Sequence, residues 1–396
     1  MSRRRPASLP PVPDPVDETA RRFVVLCLRS HWEPPALEAA RALAEGGGAD
    51  WDEVARVARN GHVEPLLYCL IRDRDLLPSW LEDQWSGRYY GSAHWSLRSS
   101  HWLRQALDRL TALAIPVALL KGAALAETVY PEPVVRPMDD VDLLVRRSDV
   151  QQARSALLEL GYRDREPELR PGYLLEFRTE ETLLIPGEDA SLLELHWNVF
   201  GPLYYRRVVD TEWFWETSLA VRVQGVPTRM LGPEAQLLHL CGHILHHSGL
   251  IDVRLLRLFD VCAVIAANRD RMDWDVLLER AQRYHLVHPT QGILSLVKEE
   301  WDVPIPADVL ERLRSLRPTG AEERLFSHLS GPRSVLGDAF ADLRDTPGWA
   351  ARLRLLRCLL FPSTEYMQAR YRIRHTGLAP LYYPYRWLHK LRGTPG

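Results

Sequence analysis

The stretch Leu119 to Val145, LLKGAALAETVYPEPVVRPMDDVDLLV, decides how this chain is read. It holds a short apolar strand, a turn at Lys121-Gly122, a short helix, and a second strand carrying Asp140-Val141-Asp142. Side chains on a strand alternate faces, so Asp140 and Asp142 project side by side while Val141, Leu143 and Val145 point the other way. Two adjacent carboxylates repel each other and lose hydration together. A divalent cation with a preference for oxygen ligands resolves that conflict.

Composition singles out one residue in this stretch. The chain holds 50 Lys plus Arg, and only Lys121, Lys298 and Lys390 are lysines. Arginine therefore serves almost wherever a cation is wanted. A lysine kept at a strand-to-turn junction suits a position that needs a compact ammonium rather than a planar fork. The plainer alternative is a surface lysine without a role.

The bulk numbers exclude several classes. With 396 residues the chain has room for two or three domains, and 46% hydrophobic with 26% charged residues is ordinary globular composition. A net charge of −2 gives no overall basic field for nucleic acid. The five cysteines are scattered without a CxxC pair, which predicts reduced thiols in a cytoplasm. No apolar run approaches the ~18 residues of a membrane span. The first residues, MSRRRPASLPPVPDP, have basic groups without an apolar core behind them, so they predict a proline-rich flexible leader over 1–16 rather than a secretory signal.

Around the central stretch the periodicity changes twice. Residues 17–113 show helical spacing in Thr19 to Arg29, Pro35 to Ala44, Trp51 to Ala58, His62 to Arg72 and Trp95 to Leu113. From Ile115 the runs are short. IPVALL and VDLLV read as strands, a helix follows Ser148-Asp149 to Leu160, and Tyr173 to Arg178, Glu181 to Ile185 and Ser191 to Trp197 read as β ribbons. From Pro233 the pattern is helical again. The expected fold is α/β (α+β), a mixed-sheet core between helical N- and C-terminal regions.

Phosphoryl chemistry assisted by two metal ions needs carboxylates clustered on a rigid element. Asp140 and Asp142 supply two, and Glu194 in LLELHW is the expected third, with His196 on its face. Asp139 and Glu181 compete with Glu194 for that role. Lys121 and Arg136 are placed in sequence to meet phosphates. The Gly122-Ala123 turn offers backbone N–H groups at a helix N-terminus to the same anion. Alone, DxD is a weak motif; within strand, KG turn, helix, Arg and second strand it is stronger.

The same run resembles the signature of an uncharacterised bacterial nucleotidyltransferase family in the DNA polymerase β-type superfamily. LLELHW resembles its third-acid strand, and LLHLCGHILHHSG with RLFDVCAVI its helical half, so the likeness covers most of residues 60–390. By resemblance, Gly122 falls on the glycine turn, Asp140 and Asp142 on the metal pair, and Glu194 on the third acid. The likeness implies a polymerase β-like core and transfer of a nucleoside monophosphate from a nucleoside triphosphate, ATP first among them, with Mg²⁺ or Mn²⁺. It leaves the acceptor open among small molecule, peptide, protein and RNA. Two departures stand out: Ala123 replaces the usual serine, and the gap to the acids is long. The expected organisation is a leader at 1–16, a helical region at 17–95, the nucleotidyltransferase core at 96–215 and a helical domain at 216–396.

Two other features invite rival readings. His239, His243, His246 and His247 lie at i, i+4, i+7 and i+8, along one helical stripe. His239, His243 and His247 are groove candidates beside His196. With Asp260 as a further ligand the stripe would suit a zinc hydrolase, although the Glu of HExxH is absent. The segment 351–396 carries nine Lys or Arg against Glu365, interleaved with aromatics. It reads as a solvated face or a site for a phosphate-rich partner. A catalytically silent nucleotide-binding module is the remaining alternative.

Overall fold

A computed structural model describes residues 17–187, 191–248, 254–331, 334–373 and 375–391; the expected leader lies outside them. The chain divides into two compact units, Met1–Tyr89 and Tyr90–Gly396. The first holds α1 (Glu18–Arg29), α2 (Ala36–Glu45), α3 (Trp51–Gly61), α4 (Glu64–Ile71) and the start of α5 (Ser79–Ala112). Asp17 and Asp50 cap α1 and α3 by accepting hydrogen bonds from first-turn N–H groups. Its core gathers Phe23, Leu28, Val54, Leu66, Leu67 and Trp85, all without solvent exposure.

The second unit is built on one sheet. In chain order it contains β1 (Ala118–Leu119), α6 (Lys121–Thr128), β2 (Asp140–Leu144), α7 (Val150–Glu159), β3 (Arg163–Asp164), α8 (Tyr173–Phe177), β4 (Glu180–Leu184), β5 (Leu192–His196), α9 (Tyr205–Val208), α10 (Thr211–Glu216), β6 (Leu219–Val223) and β7 (Val226–Met230). Helices complete it: α11 (Pro233–Ser248), α12 (Leu255–Ala267), α13 (Trp274–Arg283), α14 (Val287–Trp301), α15 (Ala307–Ser315), α16 (Gly320–Ser330), α17 (Val335–Asp345), α18 (Trp349–Leu360), α19 (Thr364–Tyr371) and α20 (Ala379–Leu391). The strand order is β3-β4-β5-β2-β1-β7-β6. β2 runs parallel to β5 and β1 parallel to β7; the other neighbours are antiparallel. This is the mixed-sheet core with flanking helices that the sequence pattern predicts.

Alternation explains the two faces of this sheet. Val141, Leu143, Leu193, Leu195 and Leu183 are buried in one cluster with Leu107 and Leu110 of α5 and Ala153 and Leu157 of α7. Each such aliphatic side chain contributes about 1.5–3 kcal/mol by leaving water. The opposite face of the same strands carries Asp140, Asp142, Glu194, His196, Glu180 and Thr182, because β2, β5 and β4 pair Asp142 with Glu194 and His196 with Glu180. The apolar face thereby fixes the register that assembles the polar one.

Two regions depart from the sequence reading. Tyr173 to Arg178 reads as a strand, but Tyr173–Phe177 is helical. Gly172, at φ +83°, turns the chain, and Tyr173 and Phe177, four residues apart, pack together against Leu355 and Cys358 of α18. Secondly, β6 and β7 form a hairpin beyond the last strand expected from the sequence. Its turn, Gln224-Gly225, has both residues in the left-handed region.

Candidate functional site

Asp142 lies at the centre of the polar face. It is 2% exposed, and its Oδ1 accepts from Lys121 Nζ at 2.7 Å and lies 2.8 Å from His196 Nε2. Glu194 Oε2 lies 3.9 Å from Lys121 Nζ and 3.5 Å from His196 Nε2. His196 Nδ1 is 3.1 Å from Glu180 Oε2. Among the described residues, Asp142, Glu194 and His196 bring ligand atoms within 4.8 Å of one another, a grouping able to hold a metal ion. Asp140 stands two residues away on the same face, half-buried.

The electrostatics follow from crowding. Burial alone would raise the Asp142 carboxyl, but the Lys121 ammonium and the His196 ring hold it well below the usual carboxylate range. Burial would likewise strip His196 of its proton, yet hydrogen bonds to Asp142, Glu180 and Glu194 push its pKa well above the ordinary value. Lys121 is raised too: the charges of Asp142, Glu194 and Asp140 outweigh its desolvation. Asp140 shifts opposite to Asp142. Burial first, and Asp142 second, push it up to about 6. Four carboxylates, Asp140, Asp142, Glu180 and Glu194, thus share two basic side chains, Lys121 and His196.

Local backbone geometry places the lysine. Lys121 sits at φ +46°, in the left-handed region that a side chain with a Cβ seldom adopts. Leu120 N–H donates to Asp142 C=O at 3.1 Å, which anchors this turn to β2. No side chain caps α6, so its first N–H groups point from the turn without a capping acceptor. Gly122 is required by close approach: a Cβ there would meet Arg136 Nη1 at 2.1 Å.

Arg136 is engaged elsewhere than the sequence suggests. Its Nε and Nη2 donate to Asp260 Oδ1 and Oδ2 at 3.0 and 2.8 Å, and Tyr130 Oη donates to the same Oδ1 at 2.6 Å. The guanidinium therefore ties the segment before β2 to α12 and packs over Gly122. Asp260, considered above as a zinc ligand, is fully used by this pair. His239 and His243 do share a wall, with ring centroids 6.2 Å apart. The side chains of His246 and His247 lie outside the described residues.

A cavity of about 1130 Å³ opens beside the polar face. Lys121, Glu180, Thr182, Glu194 and His196 line it from the core, His239 and His243 from α11, and Asp338, Asp342, Leu359, Arg386 and Trp387 from the C-terminal helices. The structure thus brings Lys121, Asp142, Glu194 and His196 into one constellation with Asp140 alongside. Glu181 faces the other way, held by Arg154 at 2.9 and 3.0 Å, and Asp139 is exposed outside the grouping. Glu180 is the site residue that sequence reasoning misses; its alternation with Thr182 was the available signal.

The mixed sheet thus gathers an acid cluster where β2 and β5 meet. The comparison with known families agrees: a family of uncharacterised nucleotidyltransferases matches residues 47–302, well over half of the chain. The chain belongs to this family. No curated protein matches it.

Proposed function

We propose that this protein moves a nucleoside monophosphate from a nucleoside triphosphate, ATP first among them, to an acceptor at the face formed by Asp140, Asp142 and Glu194. Membership of the nucleotidyltransferase family supports the transferase class. The finer reading is carried by Asp140: its carboxylate makes no hydrogen bond among the described residues, its pKa is pushed up to about 6, and it stands in a cluster with more acids than bases beside a cavity. Carboxylate oxygens converging in this way fit Mg²⁺ or Mn²⁺. Asp140, Asp142 and Glu194 would hold the ion, and it would supply charge neutralisation at the phosphate oxygens.

The remaining roles belong to the chain itself. Lys121 meets phosphate charge as a compact ammonium, and the uncapped start of α6 at Gly122-Ala123 adds N–H donors to the same anion. Arg136 positions that turn by packing over Gly122 while Asp260 holds it. Glu194, the more exposed of the two grouped carboxylates at 19% of its side chain, takes the acceptor's proton. His196, fixed between Asp142 and Glu180, keeps the Glu194 carboxylate oriented. We place the protein in a cytoplasm, in keeping with cysteines that are all unbridged. No helix among the described residues is long and apolar enough to cross a membrane.

One observation favours the silent-module alternative: Lys121 already neutralises Asp142 at 2.7 Å. Transfer assays separate the two. The protein is incubated with Mg²⁺, each α-labelled triphosphate and a cell lysate, and the labelled product is identified by mass spectrometry. Label in an acceptor, lost in Asp140→Asn, supports the transferase. Nucleotide binding without label transfer under any of these conditions supports the silent module.

A further inference from the structure

Arg386 on α20 is 1% exposed and lines the same cavity as the acid cluster. Its Nη1 donates to the Leu359 carbonyl at 2.7 Å, and its guanidinium carbon lies 5.8 Å from the centroid of the Tyr366 ring. Among the described residues, its Nε and Nη2 have no hydrogen-bond partner. No carboxylate among the described residues pairs with it. Buried guanidinium groups ordinarily have their donors satisfied, since unmet donors and an unpaired charge are both costly. The two unmet nitrogens form the side-on edge that matches a carboxylate or phosphate with two parallel hydrogen bonds. Arg136 presents that same pair of nitrogens to Asp260 elsewhere in this unit.

We propose that the Nε/Nη2 edge of Arg386 receives an oxyanion, a carboxylate or a phosphate, carried by the acceptor substrate. The inference rests on the nucleotidyltransferase reading and names the acceptor class within it. Three observations select the acceptor over the triphosphate. The triphosphate's charge is met at Lys121 and the start of α6, whereas Arg386 belongs to the helical wall with Leu356, Leu359, Leu360 and Trp387. Leu359 and Trp387 are half-buried beside it, and such partly apolar surroundings strengthen a paired charge. A cavity of about 1130 Å³ also exceeds the roughly 300–1,000 Å³ of one small-ligand site. Its carboxylates leave Arg386 available. Asp345 pairs with Arg344, Asp338 with His328, and Asp342 is influenced by Arg178.

The test titrates the full chain with inorganic phosphate and with succinate, followed by phosphorus and saturation-transfer NMR, in the absence and presence of saturating Mg–ATP. The expected result is binding of at least one probe that persists with Mg–ATP bound. It should weaken at least tenfold in Arg386→Met and by a smaller factor in Arg386→Lys, which keeps the charge but loses the paired edge. Near-UV circular dichroism checks that both variants fold, and Arg386→Lys carries the test if the methionine variant does not. The proposal is overturned if neither probe binds, if folded variants bind as the wild type does, or if Mg–ATP displaces the probe. Probe binding that depends on Arg386 in a protein with no affinity for Mg–ATP would sink the nucleotide reading alone.

Discussion

Two buried ion pairs lie in the second unit, and they behave as opposites. Arg136 and Asp260 close on each other: two parallel hydrogen bonds at 3.0 and 2.8 Å, with Tyr130 donating to the same carboxylate. Lys121 and Asp142 stay open. One ammonium, without a planar fork, is shared among Asp142, Glu194 and the charge of Asp140, and it faces a cavity. The first arrangement satisfies its charges and fixes a segment. The second leaves more acids than cations and keeps one side of the ammonium toward a cavity. Among so many arginines, the chain keeps one of its three lysines at this pair.

The comparison can be broken most forcefully at Asp140. Asp140→Asn should lower nucleotidyl transfer at least about 100-fold while leaving the melting temperature close to wild type, because this carboxylate makes no hydrogen bond among the described residues. Full activity in a steady-state assay would remove it from the site. Asp260→Asn should do the reverse. Leaving Arg136 buried beside half a partner should cost about 3–5 kcal/mol of folding stability, read by denaturant titration, while the folded fraction should lose far less activity than Asp140→Asn does, chiefly through KM for the triphosphate, because Arg136 positions the Gly122 turn.

Subtler changes sharpen the contrast. Lys121→Arg keeps the charge but brings a wider group into a turn at φ +46°. Turnover should fall about tenfold to 100-fold, and unchanged kinetics would show that a compact ammonium is not needed. Gly122→Ala should displace Arg136 from over the turn, since its new methyl would meet Nη1 at 2.1 Å. The cost should be about 1–3 kcal/mol, with a rise in KM for the triphosphate.

The smallest effect concerns Asp342, a cavity acid outside both pairs. Burial, with Asp338 and Asp345 nearby, pushes its carboxyl up to about 6. A raised folded-state pKa means that the folded chain prefers the proton. The stabilisation is therefore complete below the ordinary value near ~4 and is lost as pH rises through about 6. Asp342→Asn should match the wild type in acid and exceed it by about 1 kcal/mol above neutrality. A variant that melts earlier at pH 8 would show that the carboxylate has a partner worth keeping.

Much of this was legible before the fold was. Alternation along VDLLV and LLELHW placed Asp140 with Asp142 and Glu194 with His196, because a period of two needs no tertiary information. The parallel pairing that sets Asp142 opposite Glu194 was not in either strand alone; it depends on the apolar faces meeting α5 and α7. Arg136 read as a phosphate ligand because its partner, Asp260, lies 124 residues away. Tyr173 to Arg178 reads as a strand because a single helical turn is too short to show its own period, and the packing of Tyr173 and Phe177 on α18 decides the matter. The cavity wall carrying Arg386 was invisible for the same reason: it is assembled from helices distant in sequence.

The most direct measurement of the central claim is Mn²⁺ binding followed by electron paramagnetic resonance, with and without ATP, in wild type and Asp140→Asn. The account predicts that the wild type binds the ion, more tightly with nucleotide present, and that the variant binds it at least tenfold more weakly. Equal affinity in the two proteins, or no binding by the wild type even with ATP, would contradict it.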